Sequence, residues 1–231
     1  MAIQASENYR DLSLRQMKNG DIPAVIQIHQ QSFTGFFLTI LGPAFLTELY
    51  KATLIDPSGI SFVVECQSKI SGFVVGTEQP AGFYKRLISQ RWWRFALASI
   101  WPLVSCPTIL PRLLRAFSSP ATVTQIAKRG TLMSIAVLPN TQGRGIGKTL
   151  VQAFLQEAVH RGLHQVDLTT DRDHNEIANH FYQKLGFVCM RSFTTPEGRI
   201  MNEYVIDLHL TEDGTDSNRH VSILPQGEYI A

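Results

Sequence analysis

Apolar side chains recur along the chain at two spacings, at alternate positions in some segments and at every third or fourth position in others. The first spacing, together with short continuous apolar runs, predicts strands, whereas the second predicts amphipathic helices. The predicted strands are 12–17, 60–66, 70–75, 131–137, 165–170, 187–193 and 201–210. The predicted helices begin at Asp21, Pro43, Gly145 and Asp173, with further helical pieces at 84–101 and 111–117.

The order of these segments is β-α-α-β-β-insertion-β-α-β-α-β-β, which predicts an α/β fold. It favours one central sheet, partly antiparallel, with helices on both faces. The 231 residues fit one domain, residues 1–210, followed by a polar tail at 211–231. Within that domain, residues 79–130 interrupt the pattern as an insertion.

The last predicted helix carries its own start and stop signals. Asp173 and Glu176 stand at capping-box spacing, and Gly186 follows the last apolar position. The apolar side chains expected on its inward face are Ile177, Ala178, Phe181, Tyr182 and Leu185.

Basic residues are concentrated in the insertion. Residues 79–130 contain eight Lys or Arg and no Asp or Glu, so the rest of the chain holds 13 of the 21 basic and all 19 acidic residues. A basic segment on an acidic body often marks a contact with an anionic partner. The net charge of +2 says little about partners by itself, and we expect no nucleic acid among them.

Cysteine usage and apolar segments bear on where the protein works. Cys66, Cys106 and Cys189 are odd in number, far apart and form no C-x-x-C pair. We therefore expect neither disulfides nor a metal site, and a reducing compartment. The N-terminal sequence lacks a signal-peptide pattern, and the most apolar stretch, 95–110, is short for a membrane span and interrupted by prolines. A cytoplasmic protein is the resulting expectation.

A glycine-rich turn between a predicted strand and a predicted helix is the most informative segment. Gly143, Gly145 and Gly147 stand at alternate positions, with Arg144 and Lys148 among them. A helix start offers unpaired N–H groups and the positive end of the helix dipole, and glycine lets an anion approach the backbone closely. The turn therefore predicts a phosphate-binding site.

Three ligand classes compete for this turn, beside the alternative of a turn without a ligand. A Walker A loop would match Gly147-Lys148-Thr149 but requires a glycine where Gln142 stands. A dinucleotide-binding fingerprint would need its third glycine where Lys148 stands. The third class fits throughout, because residues 142–147 match Q-x-x-G-x-G, the coenzyme A pyrophosphate loop of the GNAT family of N-acetyltransferases.

A second motif carries the same resemblance. Residues 175–187 resemble that family's N-x-x-A-x-x-F-Y-x-K-L-G-F signature at every fixed position. The chain resembles the family over roughly residues 10–210. The resemblance implies the GNAT fold, a mixed and mostly antiparallel sheet with a V-shaped splay between two parallel strands, here 131–138 and 165–170. It also implies acetyl-CoA as the cosubstrate.

In that family the pantetheine arm of coenzyme A lies in the splay and pairs like an extra strand. Carried to this chain, the resemblance assigns the pantetheine to backbone groups of Ile135 and Val137 and to Asn175, with the small Ala178 allowing close approach. The pyrophosphate contacts fall on the turn, at Gln142, Gly143, Arg144, Gly145, Ile146, Gly147 and Lys148.

The implied reaction is direct attack of a neutral amine on the thioester, without a covalent enzyme intermediate. The resemblance places Tyr182 near the sulfur, where we expect it to act as the general acid, and an N–H near Val137 would stabilise the oxyanion. Many relatives carry a Glu base on the strand before the loop, but residues 132–135 of this chain contain none. The candidate bases are Glu65, Asp167, Asp171 and His174, and a water relay is an equal alternative.

The acceptor site is expected where the first two helices join. Phe33, Phe36 and Phe37 are candidate acceptor-binding residues there, and Tyr84 in the insertion is a fourth. The chain is also similar to acetyltransferases associated with bacterial surface-polysaccharide synthesis, whose acceptors are amino sugars. We therefore expect a small-molecule primary amine, with an amino sugar or nucleotide-linked amino sugar as one hypothesis.

Several alternatives stay open at this level. The protein could acetylate proteins or peptides, bind coenzyme A without catalysis, or be a P-loop nucleotide-binding protein. The insertion could be a lid over an anionic acceptor, an interfacial helix at 83–117 that contacts a membrane peripherally, or an oligomer contact or extra core layer. Both a monomer and a homodimer are compatible with the sequence.

Overall fold

A seven-stranded sheet forms the centre of the structure, a computed structural model that describes residues 12–105 and 128–208. Its strands are β1 Leu12–Gln16, β2 Gly59–Cys66, β3 Lys69–Thr77, β4 Arg129–Val137, β5 Gln165–Asp171, β6 Val188–Thr194 and β7 Ile200–Asp207. The helices are α1 Ile22–Ser32, α2 Phe37–Ile40, α3 Gly42–Ile55, α4 Phe83–Ser105, α5 Ile146–His160 and α6 Glu176–Lys184.

The strand order is β1-β2-β3-β4-β5-β7-β6, and every pairing except β4 with β5 is antiparallel. The parallel pairing joins only Arg129–Thr131 to Gln165–Asp167. Beyond these residues β4 continues against β3 and β5 continues against β7, so the two strands part and open a V-shaped splay. The predicted fold class, including the splay, is therefore confirmed.

The two faces of the sheet are covered by different helices because successive strand residues point to opposite sides. On one face α5 buries Leu150, Phe154 and Ala158 against strand residues such as Val64 and Val74. On the other face α1 and α3 cover the alternate strand positions, and the buried residues there include Val25, Leu46, Val63, Phe73 and Ala136.

The insertion adds a third layer outside α3. Phe83, Leu87 and Phe95 of α4 pack against Phe45 and Leu49 of α3. The opposite face of α4 exposes Trp92, Trp93, Leu97 and Ile100. No helix within 12–105 and 128–208 has both the length and the apolar character that a membrane crossing requires. The predicted helical piece at 111–117 and the tail at 211–231 lie outside the described residues.

Two predicted helix starts were wrong in their detail. The Asp173–Glu176 capping box does not form, since α6 begins at Glu176 after Asn175, without a side-chain cap, and Asp173 pairs with Arg172 instead. Ile177 is 90% exposed and does not face inward. Similarly, Asp21 precedes α1 but its carboxylate binds Arg15 rather than the first turn of the helix.

Candidate active site

A cavity of about 420 Å³ lies where β4 and β5 part. Five parts of the chain that are distant in sequence form its wall: the end of α1 with the following turn, the middle of β4, the end of β5, the first turns of α6, and the β6–β7 turn with the start of β7. The lining side chains include Phe33, Met133, Ile135, Asp171, Asn175, Ala178, Tyr182 and Arg199. The splay thus gathers residues of β4 and of the second sequence motif around one cavity, while the glycine-rich turn is not part of its lining.

The edge of β4 that faces the splay has free backbone donors. The N–H of Leu138 donates to Ser71 of β3. Because backbone groups alternate along a strand, the N–H groups of Ile135 and Val137 point the other way, toward the splay. Past Thr131, β4 has no pairing partner on that side among the described residues. The edge can therefore bind an extended ligand as an added strand would bind.

The glycine-rich turn adjoins this edge and has the geometry of an anion site. Gly143 and Gly145 have φ of 79° and 76°, values that favour glycine, and a Cβ atom at either would meet open space. Within the described chain, none of the six N–H groups from Gly143 to Lys148 donates to a backbone or side-chain acceptor. Unpaired donors at the start of the 15-residue helix α5, beside the exposed Lys148, suit a diphosphate.

The other residues predicted for this turn have separate roles. A Cβ on Gly147 would lie 3.3 Å from the Phe181 ring, so glycine lets α5 and α6 pack closely. Arg144 reaches toward β2, with Nη1 3.7 Å from Sγ of Cys66. Ile146 is buried in the core beneath the turn, and Gln142 is exposed before it. Main-chain amides, rather than side chains, therefore form most of the proposed anion contacts.

Tyr182 lies on the cavity wall and is 7% exposed. Its ring packs against Phe187 and Tyr204, with centroid distances of 5.8 Å and 6.1 Å. Burial raises the pKa of the Tyr182 hydroxyl to about 12, so the phenol stays protonated at neutral pH. No side chain in the described part of the chain binds this hydroxyl. It is free to donate to a ligand in the cavity.

Asn175 holds the start of α6 to the end of β5. Its Nδ2 donates to Oγ1 of Thr170 at 2.7 Å and to the carbonyl of Asp171 at 3.2 Å. Asn179, which the sequence did not single out, extends this contact by donating to the same carbonyl and accepting from the Tyr204 hydroxyl. These bonds fix the start of α6 to the end of β5, on the side of the splay opposite β4.

Of the four candidate bases, only Asp171 lines the cavity, and Arg199 engages both of its carboxylate oxygens. Asp167 lies below the splay, where the Thr131 hydroxyl donates to it at 2.5 Å, and burial is the main cause that raises its pKa. Glu65 pairs with Arg15 on β1. His174 is exposed, in the left-handed region with φ of 57°. Glu65, Asp167 and His174 therefore lie outside the cavity.

The predicted acceptor residues divide between the cavity and its surroundings. Phe33, Phe36 and Phe37 all line the cavity, and the Arg199 guanidinium lies 4.7 Å from the Phe36 ring centroid. Tyr84 does not line it, and neither does any other residue of 79–100. The described part of the insertion therefore does not form a lid over this space.

Two titratable wall residues were not among the predicted site residues. His29 is 2% exposed and lies one α1 turn after Val25, so helical spacing could have predicted its inward orientation. Arg199 lies in the turn between β6 and β7, where no local pattern indicates a contact with β5.

The comparisons with known proteins agree with this geometry. Residues 112–187 match the model of the acetyltransferase (GNAT) family. Over 59 residues the chain is 46% identical to the mycothiol acetyltransferase of Paenarthrobacter aurescens, and over 59 residues it is 39% identical to N-alpha-acetyltransferase 30 of Schizosaccharomyces pombe. Each match covers 26% of this chain, and the chain spans only 18% and 39% of the two curated relatives.

Solved structures resemble the chain over most of its length. Ard1 from Thermoplasma volcanium matches with a TM-score of 0.55 at 18% identity, over 85% of this chain and 97% of that one. The ribosomal-protein-S18-alanine N-acetyltransferase from Escherichia coli matches with a TM-score of 0.55 at 14% identity, over 89% and 99%. The chain therefore has the fold of these acetyltransferases, and its residues 112–187 are similar to the GNAT family, whose enzymes use acetyl-CoA as the acetyl donor.

Proposed function

We propose that the protein is an N-acetyltransferase that transfers the acetyl group of acetyl-CoA to a primary amine of a small molecule. One observation carries the proposal: the free edge of β4 leads from the unpaired amides of Gly143 to Lys148 into the cavity that Tyr182 lines. Coenzyme A has a diphosphate, an extended amide-containing arm and a reactive sulfur in that order. The donors along this path match those three parts in the same order.

The chemistry follows from the groups at the end of this path. The acceptor amine attacks the thioester carbon, and a splay-facing N–H of β4, at Ile135 or Val137, stabilises the oxyanion that forms. The carbon–sulfur bond then breaks, and Tyr182 protonates the departing thiolate. Because the amine attacks the thioester directly, no covalent enzyme intermediate forms.

The shape of the cavity supports a compact acceptor with an apolar part. Phe33, Phe36, Phe37 and Met201 supply apolar surface, and Asp171 with Arg199 supplies the charged rim. Aromatic faces beside a carboxylate suit an amino sugar, which offers apolar ring faces, hydroxyls and an ammonium group. Proteins of similar fold are named for other acceptors, namely spermidine or spermine and a ribosomal-protein alanine. Peptide and polyamine acceptors are therefore the alternatives to test.

A thiol-release assay with acetyl-CoA tests the proposal across glucosamine, UDP-glucosamine, spermidine and an alanine-terminated peptide. We expect turnover with at least one amine, and a rise in melting temperature with acetyl-CoA but not with Mg-ATP. Stabilisation by acetyl-CoA without turnover of any amine would instead support a non-catalytic coenzyme A-binding protein. Stabilisation by Mg-ATP alone would support the P-loop alternative.

We also propose that the exposed face of α4 contacts an anionic membrane surface peripherally. Trp92 and Trp93 are 66% and 50% exposed, with Leu97 and Ile100 on the same helix, and residues 79–130 contain no acidic side chain. Tryptophan and basic residues on one helix favour the membrane interface. Arg86 pairs with Asp56, but Arg91 and Arg94 both pair with the single Glu48, so the helix keeps positive charge beside its apolar face.

Sedimentation with phosphatidylglycerol vesicles tests this contact, with phosphatidylcholine vesicles as the control. We expect binding to the anionic vesicles and its loss in a Trp92→Ser, Trp93→Ser double variant that keeps its melting temperature. If the intact protein stays in the supernatant and forms a dimer that the double variant cannot form, the face is an oligomer contact. The cytoplasm remains our proposed location, which the free thiols of Cys66 and Cys189 support.

A further inference from the structure

A buried histidine with an unused nitrogen forms part of the cavity wall. His29 is 2% exposed, lines the cavity, and packs its ring 4.7 Å from that of Phe33 and 6.5 Å from that of Phe73. Its Nε2 is buried and has no hydrogen-bond partner among the described residues. Leaving a buried polar atom unpaired costs about 1–3 kcal/mol, so such an atom beside a cavity indicates a ligand that completes it.

The other ring nitrogen is held in place. Nδ1 of His29 lies 2.7 Å from the Tyr50 hydroxyl, which Ser134 of β4 also hydrogen-bonds. In the tautomer in which Nδ1–H donates to the Tyr50 oxygen, Nε2 carries the lone pair. A second group that fixes the tautomer of a histidine is the arrangement found where imidazole acts as a base.

We propose that His29 is the general base of the reaction, accepting the proton of the acceptor amine at Nε2, with Tyr50 as the positioning residue. This inference rests on the proposed acetyltransferase function. It assigns the base role to a residue of α1, because the carboxylate expected on the strand before the glycine-rich turn is missing from β4 and three of the four candidate bases lie outside the cavity.

Both protons that move in the reaction can be assigned to groups of the cavity wall. The amine nitrogen forms a bond to the acetyl carbon, the carbon–sulfur bond breaks, and the sulfur takes the hydroxyl proton of Tyr182. The amine proton moves to Nε2 of His29. The imidazolium and the Tyr182 phenolate are then opposite charges on one cavity wall, and a proton transfer between them through cavity water restores both groups.

The groups around His29 favour a neutral imidazole before the reaction. Burial lowers the pKa of His29 to about 4. The titratable group in contact with the imidazole is Tyr50 of α3, and the charge of Tyr84 on α4 affects Tyr50 in turn. Tyr182 and the Asp171–Arg199 ion pair lie on other parts of the cavity wall. Asp171 is already bound by Arg199 and Tyr50 is a neutral phenol, so no carboxylate within the described chain contacts the imidazole directly.

A His29→Gln variant tests the assignment, with the exposed His160→Gln as the matched control. The assay uses acetyl-CoA and whichever of the four amines above gives the fastest thiol release. We expect the rate at pH 7.5 to fall on the order of 10²- to 10⁴-fold for His29→Gln. The Kd for acetyl-CoA should stay within about twofold, as expected for a residue that acts on the acceptor. The loss should shrink as pH rises toward 9.5, since hydroxide can then take the proton of the attacking nitrogen in place of His29.

Each outcome separates the two levels of the proposal. If the unmodified protein turns over none of the amines, the acetyltransferase function itself fails. If it does turn over one and His29→Gln loses no activity, or loses the same factor at every pH, His29 is not the base. Tyr50→Phe provides an independent check, because it keeps the ring packing. Its expected effect is a smaller rate loss with a changed ¹⁵N shift of His29 Nδ1, and an unchanged spectrum would overturn the positioning role of Tyr50.

Discussion

Arg199 donates to both carboxylate oxygens of Asp171, with Nε 3.0 Å from Oδ1 and Nη2 2.5 Å from Oδ2, and its guanidinium stacks over the Phe36 ring. Through these contacts one side chain of the β6–β7 turn joins the end of β5 to the connection between α1 and α2. All three residues line the cavity. A bidentate ion pair thus links these three elements where the acceptor is proposed to bind.

We predict that Arg199→Ala impairs use of the acceptor more than binding of the cofactor. Its KM for the acceptor should rise about tenfold or more, because the rim loses both its ion pair and its ring contact. Arg199→Lys keeps the charge but not the forked geometry, and should recover only part of the effect. Steady-state kinetics for both substrates measure this. An equal rise in KM for acetyl-CoA and for the acceptor would contradict a role of Arg199 in acceptor binding.

We predict that Gly145→Ala weakens acetyl-CoA binding, because residue 145 has φ of 76° at the start of α5 and its N–H belongs to the proposed anion site. Gly162→Ala is the matched control, since Gly162 has φ of 74° at the other end of α5 and its added Cβ also meets open space. Both variants should lose about 1 kcal/mol of stability from backbone strain.

Calorimetric titration with acetyl-CoA separates the two glycines. Only Gly145→Ala should show a higher Kd, by roughly tenfold for the loss of ~1.4 kcal/mol of binding free energy. An equal Kd in both variants would mean that the turn does not contact the diphosphate.

Tyr182→Phe should bind acetyl-CoA normally and lower kcat on the order of 10²-fold or more, since the thiolate then leaves without a positioned acid. Tyr204→Phe is its control, because the Tyr204 hydroxyl bonds to Asn179 rather than lining the cavity. The Tyr182 pKa of about 12 also predicts that the rate shows no decline from phenol ionisation up to pH 10. A kcat unchanged in Tyr182→Phe would remove the acid role.

Burial of His29 should make stability depend on pH. Its folded pKa of about 4 lies below the ordinary value of 6.5, so the unfolded chain binds more protons between these values and stability falls as pH decreases. From pH 7.5 to pH 5 the loss from this residue should be ~2 kcal/mol. Urea unfolding of the intact protein and of His29→Gln measures the difference. Parallel stability curves for the two proteins would show that His29 is not buried in its neutral form.

The sequence predicted local features better than the composition of the cavity. The turn at residues 142–148 could be predicted because strand, turn and helix are consecutive in the sequence and the glycine spacing indicates the backbone conformation directly. His29, Ser134 and Arg199 meet in the cavity only through the order of the strands, which no local pattern encodes.

The errors have physical causes of the same kind. Asp173 could either cap a helix or pair with its neighbour Arg172, and the ion pair forms while α6 begins three residues later. The inward face of α6 is formed by Ala178, Phe181, Tyr182 and Leu185, as predicted, and only Ile177 points away from it. The candidate base Glu65 is drawn into an ion pair with Arg15 across β1 and β2, a partner that only strand register reveals.

The short contact between β4 and β5 also affects the mechanics of the molecule. Only three residue pairs join the half of the sheet formed by β1 to β4 to the half formed by β5 to β7. The two halves are therefore hydrogen-bonded to each other at the start of β4 and β5 and separated along the rest of these strands. A cofactor arm lying along the separated part would bridge the two halves. Exchange of the backbone amide hydrogens of β5 that face the splay should then slow when acetyl-CoA binds. Without the cofactor, local opening should begin between β4 and β5.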